Sequence, residues 1–320
     1  MSSSPSSTQP NKPNNTVIAL GNFDGVHLGH QKLLQQAYQL ALKKQAHLVV
    51  TSFNPHPQAV LNPPHRRLLT LSDQETKIRH ILNFGSDPSI KVQVKYLPFD
   101  KKMQHLSPDE FLDFLKETFA PLVGIVVGYN FRFGHQRKGE VQDLIQWGAA
   151  QHLTIEVTPQ VCLPDGRGIS TTLIRKALQE GNLSYVKLAL GHPYWIRGIV
   201  VKGDGRGKDL GFPTANIDQI ETELPKPGVY VVRLEEEHQK EAIGFWGVAH
   251  YGPLPTLDIE TPRLEVHVLE CNRDLYNRSV KVHFLHWIRG VVRFTSMIHL
   301  KNQIEKDVEC AKLWIHQNQQ

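Results

Sequence analysis

The sequence predicts a parallel α/β domain followed by a small antiparallel β-barrel with a C-terminal helix, and three observations carry that expectation. From Thr16 to about Leu190, short apolar runs alternate with segments of helical period, the pattern of a parallel sheet wrapped by helices. After Gly191 the texture changes to Gly, Pro and short β-rich runs, as in a small barrel. Residues 295–316 then return to helical spacing, with Met297, Leu300, Ile304, Val308 and Ala311 on one face. At 320 residues, 40% hydrophobic and 21% charged, the chain is large enough for two cores.

The elements follow in order. Residues 1–15 are Ser, Pro, Asn and Gln with almost nothing to bury, and read as a loose tail. Strands are expected at Val17 to Leu20, His47 to Phe53, Lys91 to Leu97, Leu122 to Val127 and Leu153 to Val157. Between and after them, helical period runs near 30–44, 72–84, 107–118, 138–151 and 171–181. The barrel strands are expected at Trp195 to Val201, Gly228 to Leu234, Ala242 to Val248, Leu264 to Leu269 and Ser279 to Phe284. There is no internal repeat.

Composition narrows the function classes. Lys plus Arg number 36 against 31 Asp plus Glu, and a net charge of +5 is too mild to argue for nucleic acid. Residues 1–188 carry 20 basic and 14 acidic side chains and residues 189–320 carry 16 and 17, so the first part is the more phosphate-friendly. Cys162, Cys271 and Cys310 lie far apart without a C-x-x-C, which fits a reducing cytoplasm rather than a zinc knuckle or a disulfide framework. No apolar stretch approaches the ~20 residues that span a bilayer, and no signal peptide is expected.

Four segments carry chemistry in the N-terminal part. G-N-F-D-G-V-H-L-G-H, Gly21 to His30, leaves the first strand and enters a helix, placing His27 and His30 where a parallel sheet binds phosphates. A pair of histidines that merely caps the helix is the plainer alternative. T-S-F-N-P-H-P, Thr51 to Pro57, ends the second strand, where Phe53 and His56 suit an aromatic ring or its tail, or an ordinary Pro-rich turn. V-G-Y-N-F-R-F-G, Val127 to Gly134, concentrates Asn130, Phe131 and Phe133 at another strand end, as an exposed aromatic wall for a ligand. I-S-T-T-L-I-R, Ile169 to Arg175, puts hydroxyls at a helix N-terminus with Arg175 one turn along, a phosphate anchor or a simple N-cap.

In the C-terminal part, G-D-G-R-G-K-D-L-G-F-P-T-A-N, Gly203 to Asn216, is dense enough in glycine to wrap phosphates, although a flexible hairpin has the same composition. Thr214 and Asn216 offer two oxygen ligands at i, i+2 spacing on one face of a short strand, a set that suits Mg²⁺. Glu265 in R-L-E-V-H-V-L is a charge in an apolar strand pattern. Facing the loop, it would accept a proton from an attacking hydroxyl; facing solvent, it is an ordinary alternating position.

The Gly21 to His30 segment resembles the H-x-G-H nucleotidylyltransferase superfamily, and with the other three N-terminal segments it is similar to the FMN adenylyltransferase module of prokaryotic bifunctional FAD synthetases. The resemblance implies a Rossmann-like domain over 16–188 that transfers AMP from ATP to FMN. It implies His27, His30 and Arg175 as catalytic. Gly21, Asn22, Phe23, Asp24, Gly25, Ser170, Thr171 and Thr172 would contact ATP, and Phe53, Pro55, His56, Pro57, Asn130, Phe131 and Phe133 the flavin. Residues 189–316 resemble riboflavin kinase, implying ATP contacts at Gly203, Gly205, Gly207, Gly211 and Pro213, Mg²⁺ at Thr214 and Asn216, and Glu265 as base.

The resemblance thus implies riboflavin, FMN, FAD and ATP as substrates and products. From it, together with the charge, the cysteine usage and the lack of a long apolar stretch, we expect no tightly held organic cofactor, no nucleic acid or membrane partner, a cytoplasmic location, and a monomer or weakly self-associating chain. Two departures stand out: Thr171 in a usual S-S-T-x-x-R, and G-V-A-H-Y-G-P-L-P-T-L, Gly247 to Leu257, where His250 replaces a typical Asn. The second leaves open an adenylyltransferase with a weak or inactive kinase. A non-catalytic flavin- or nucleotide-sensing module is the remaining alternative.

Overall fold

The computed structural model describes residues 15–61, 69–85, 88, 90–237, 244–270 and 273–318. The expected tail over 1–15 lies almost wholly outside these residues. The chain divides into two compact units, one of 1–23, 29–68 and 77–161, the other of 24–28, 69–76 and 162–320.

The first unit is built on five parallel strands: β1 (Thr16–Leu20), β2 (His47–Asn54), β3 (Val92–Pro98), β4 (Leu122–Gly128) and β5 (Thr154–Thr158), in the order β3-β2-β1-β4-β5. Each of the five falls on an expected run. Central β1 and β4 are almost continuously apolar because helices cover both faces of a parallel sheet. Helix α1 (Leu28–Lys44) buries Leu33, Leu34, Ala37, Tyr38, Leu40 and Ala41 at i, i+3, i+4 spacing. A short helix, α2 (Pro57–Leu61), follows β2, and α3 (Gln74–Leu82) matches the expected helix near 72–84. After α4 (Lys101–His105), α5 (Pro108–Thr118) starts at a capping box in which Ser107 accepts from the Glu110 N–H and Glu110 accepts from the Ser107 N–H. Helix α6 (Val141–Ala150) completes this unit. Its core joins Leu20, Leu97, Ile125 and Val127 to Phe111, Leu112 and Leu115 of α5.

The part of the second unit after residue 162 begins with α7 (Thr171–Glu180), capped by Ser170, and α8 (Leu183–Leu190), a helix beyond the expected ones, which packs on the barrel strands β6 (Tyr194–Val201) and β11 (Ser279–Gly290). With β7 (Ala215–Asp218), β8 (Gly228–Glu236), β9 (Gly244–Leu254) and β10 (Ile259–Val268) they close an antiparallel barrel in the order β10-β7-β6-β11-β8-β9. Closure leaves no open sheet edge. A single helical turn, α9 (Arg206–Asp209), interrupts the glycine-rich segment before β7. Tyr230 and Phe284 meet edge to face inside the barrel, while Val229 and Val231 of the same strand turn outward. Helix α10 (Met297–Asn318) packs on these with Val308, Ala311 and Ile315.

Candidate active sites

The barrel and α10 enclose a cavity of about 140 Å³. Its polar wall is one row of cross-strand neighbours, since Glu265 of β10 pairs with Asn216 of β7 on one side and with His250 of β9 on the other. The same row continues through Val229 of β8 to Arg289 of β11. Residues opposite one another on adjacent strands project to the same face. Thus Asn216, Glu265, His250, Val229 and Arg289 all line the cavity, joined by Thr214 from the start of β7 and by Leu300, Ile304 and Asp307 from α10.

The hydroxyl of Thr214 donates to Glu265 Oε2 at 3.5 Å. Burial raises the Glu265 carboxyl above its ordinary range, against the pull of Arg263 and the Thr214 hydrogen bond. Gly203 is required next to this set, because a Cβ there would lie 2.1 Å from Asn216 Nδ2. The loop is not a bare hairpin: Gly205 and Gly211 have φ of 77° and 92°, and α9 lies between them. Arg263 pairs with Asp204 at 2.9 Å, tying the loop to β10. Opposite, the Arg289 guanidinium grips Asp307, 3% exposed, with Nε–Oδ1 at 2.9 Å and Nη2–Oδ2 at 2.7 Å. Burial, reinforced by the Arg289 charge, pushes the His250 pKa down to about 4, so its imidazole is neutral near pH 7.

In the first unit, β1 delivers Gly21, Asn22 and Phe23 at its C-terminal end. Phe23 is buried with φ of 49°, and its ring lies 5.2 Å from that of His30 in the first turn of α1. The Asn22 carbonyl accepts from Lys77 Nζ at 3.0 Å and from the Ser52 hydroxyl at 3.1 Å, which fixes the turn after β1 against β2. Phe53 at the end of β2 meets Phe99 edge to face. The peptide before Pro55 is cis, His56 Nδ1 accepts from the Gln58 N–H, and Pro57 begins α2. Asn130 is exposed and Phe131 half-buried, stacked on Phe133.

In the second unit, Asp24 is 1% exposed and accepts from the Leu71 N–H at 2.8 Å and from Arg175 Nη2 at 2.7 Å. Arg175 also pairs with Glu223. Gly25, at φ 72°, donates to Ser72, and a Cβ there would press on Leu71 at 3.0 Å. Ser170 accepts from the Leu173 N–H as N-cap of α7, with Thr171 half-buried and Thr172 exposed in its first turn. His27 is 6% exposed, and burial drives its pKa down to about 4 against the opposing Asp24 carboxylate.

Residues 9–173 match the family model for FAD synthetase, and residues 190–315 match that for riboflavin kinase. Curated proteins named bifunctional riboflavin kinase/FMN adenylyltransferase from Bacillus subtilis (strain 168) and Escherichia coli (strain K12) are 34% and 35% identical to the chain. Both matches cover 92% of this chain and 91% of the relative. The chain belongs to the bifunctional riboflavin kinase/FMN adenylyltransferase family. A crystal structure from Streptococcus pneumoniae described as a macrolide-efflux protein superposes with a TM-score of 0.78 at 32% identity, covering 94% of this chain and 95% of that one. Among the described residues of this family member, no helix is long and apolar enough to cross a membrane.

Between the outer face of the barrel and α10, Thr214, Asn216 and Glu265 come together with Gly205 and Gly207 around one cavity, while Pro213 is exposed and its carbonyl contacts His267 Nδ1 at 2.9 Å. Phe133 differs from the exposed wall expected of it. At 4% exposed it belongs to the core, because the Phe133–Gly139 bridge turns the chain back and seats the ring against Phe111. Arg175 and Asp24, expected to face ATP, form an ion pair. Sequence reasoning missed the cavity roles of Arg289 and Asp307. An acid beside Val308 on the apolar face of α10 was the signal available for one of them.

Two outcomes follow from this geometry. Gly203→Ala is expected to displace Asn216 and raise the KM for ATP in riboflavin phosphorylation at least tenfold, read by initial rates at varied ATP, with FAD formation from supplied FMN unchanged. His27 takes up a proton on unfolding that it resists when folded. Its contribution to stability is therefore full above pH ~6.5 and falls as pH drops toward its folded value, by about 3 kcal/mol at pH 4. Urea midpoints measured from pH 7 to 4 should fall over that window, and less steeply in His27→Gln.

Proposed function

We propose that the chain makes FMN and then FAD: it phosphorylates the 5′-hydroxyl of riboflavin with ATP in the barrel, and transfers AMP from a second ATP to FMN, releasing pyrophosphate. Residues 16–188 are assigned to adenylyltransfer and 189–316 to the kinase. The observation that carries the kinase assignment is the Asn216–Glu265 pair, with the Thr214 hydroxyl 3.5 Å from the carboxylate in one cavity. Glu265 accepts the proton of the riboflavin hydroxyl as that oxygen attacks the γ-phosphorus of ATP, and ADP departs. The backbone of Gly203 to Gly211 holds the nucleotide phosphates.

The oxygen donors of Thr214 and Asn216, with no Cβ at Gly203 to displace the amide, fit a hard divalent cation shared with phosphates, and Mg²⁺ is the reading we adopt. Such an ion supplies charge neutralisation on the phosphates. For adenylyltransfer, His27, His30, Ser170, Thr171, Thr172 and Arg175 are assigned to the ATP phosphates. The turn from Gly21 to Gly25, with Asn22, Phe23 and Asp24, is assigned to the nucleotide as well. Phe53, Pro55, His56, Pro57, Asn130 and Phe131 are assigned to FMN, with Phe133 supporting Phe131 from the core. The FMN phosphate attacks the α-phosphorus and the histidines stabilise the added charge without a covalent intermediate. A cytoplasmic enzyme, monomeric or weakly self-associating, completes the proposal.

The test is to incubate the protein with riboflavin, ATP and Mg²⁺, and in parallel with FMN, and to resolve the flavins by chromatography over time. FMN followed by FAD from riboflavin is expected. FAD only from supplied FMN would remove the kinase assignment. Flavin binding without turnover in either tube would replace both with a sensing role.

A further inference from the structure

Thr214 stands just outside the sheet that carries its partners. The β7–β10 ladder ends at Ala215, opposite Val266, and the β6–β7 ladder ends at Asn216, opposite Val201. The chain enters Thr214 from Pro213, which has no N–H to extend either ladder. What reaches Pro213 is a side chain. His267, two residues beyond Glu265 on β10 and on the same cavity-lining face, has its Nδ1 2.9 Å from the Pro213 carbonyl. A carbonyl oxygen only accepts, so Nδ1 carries the proton and donates. The backbone of His267 is itself held, paired with Val248 of β9. Its ring meets that of Phe212 edge to face, and the Phe212 N–H donates to the Gly207 carbonyl at 2.8 Å, closing the end of the glycine-rich loop.

We propose that His267 is a positioning residue of the kinase site: by holding the Pro213 carbonyl it aims the Thr214 hydroxyl at the divalent cation shared with the ATP phosphates. The inference rests on the kinase reading above. The pyrrolidine ring already fixes φ of Pro213, which leaves ψ as the one soft torsion before Thr214. Rotation about ψ swings the carbonyl and Thr214 together, so a hydrogen bond to that carbonyl sets where Thr214 goes. The hydroxyl's own bond to Glu265 Oε2 is long, at 3.5 Å, and restrains it little. Gly207 leaves room for the placement, since a Cβ there would come within 3.1 Å of Thr214 Oγ1. Asn216, by contrast, is paired in both ladders and needs no such tether.

The experiment compares wild type with His267→Asn and His267→Leu in the full chain. Asn and Leu have nearly the same shape, and only Asn can donate from the position of Nδ1. His267→Leu should raise the KM for ATP and the Mg²⁺ concentration for half-maximal FMN formation about tenfold each, the scale of one lost hydrogen bond. The KM for riboflavin should stay within twofold, and His267→Asn should recover most of the loss. A second readout needs no turnover: ADP is titrated calorimetrically into each protein, once with Mg²⁺ and once with EDTA. The tightening that Mg²⁺ brings should be about tenfold smaller in His267→Leu than in wild type or His267→Asn, with equal affinities in EDTA. The adenylyltransferase site adds the same background to all three. FAD formation from supplied FMN should be unchanged in the same preparations, which separates a local effect from misfolding. If Leu fails to fold, His267→Gln, whose amide reaches the position of the outer ring nitrogen, takes its place and should show the same loss. Equal behaviour of Asn and Leu, an affinity loss that persists in EDTA, or an unaltered Mg²⁺ dependence would overturn the proposal. Wild type that makes no FMN would overturn the kinase reading itself and this inference with it.

Discussion

Glu265→Gln is expected to lower kcat for FMN formation from riboflavin by about 10³-fold, within the range that removal of a general base produces. FAD formation from supplied FMN should stay within twofold. The amide keeps the shape of the side chain and still accepts from the Thr214 hydroxyl, but it cannot take up the proton of the attacking oxygen. Because Glu265 stands between Asn216 and His250 in the row, the substitution should leave the KM for ATP and for riboflavin nearly unchanged and fall on kcat. Initial rates by chromatography, with both flavins assayed on one preparation, give the answer. FMN formation retained within tenfold of wild type would rule Glu265 out as the base.

His30→Ala is expected to show the opposite selectivity, with FAD formation from FMN reduced by about 10²- to 10³-fold and riboflavin phosphorylation intact. Electrostatic stabilisation of a transferring phosphoryl group contributes on that scale per donor. His30 occupies the first turn of α1, where helix N–H groups have no partner within the helix and favour negative charge, and the buried Phe23 ring holds its orientation. The KM for FMN measured beside kcat separates lost flavin binding from lost chemistry. Equal loss of both activities would undo the assignment of the two reactions to two sites.

The local periodicities carried the elements. All five strands of the parallel sheet lie on apolar runs visible in the chain, and the change after Gly191 marks the barrel, because burial on two faces and burial on one face leave different residue patterns. Helix α8 escaped because Leu183–Leu190 is only two turns long and nearly apolar throughout, which removes the helical period. In the kinase cavity, Thr214, Asn216 and Glu265 were visible as oxygen donors at strand spacing and as a charge among apolar neighbours. Their alignment was not, since it depends on β7 and β9 flanking β10. Phe133 shows the converse limit: a phenylalanine after a strand looks the same in sequence whether the chain runs on into solvent or folds back, as it does here onto Phe111.

The sequence by itself determined the two fold classes, the family resemblance and the chemical character of the motifs, because composition, period and spacing act over a few residues. Only the tertiary structure decided which of those groups share a cavity. Arg289 and Asp307 pair from β11 and α10, and Glu265 meets His250 on one side and Asn216 on the other. Such neighbours are set by strand order, register and helix docking. A shift of one residue in register would turn Glu265 to the opposite face, out of line with Asn216 and His250.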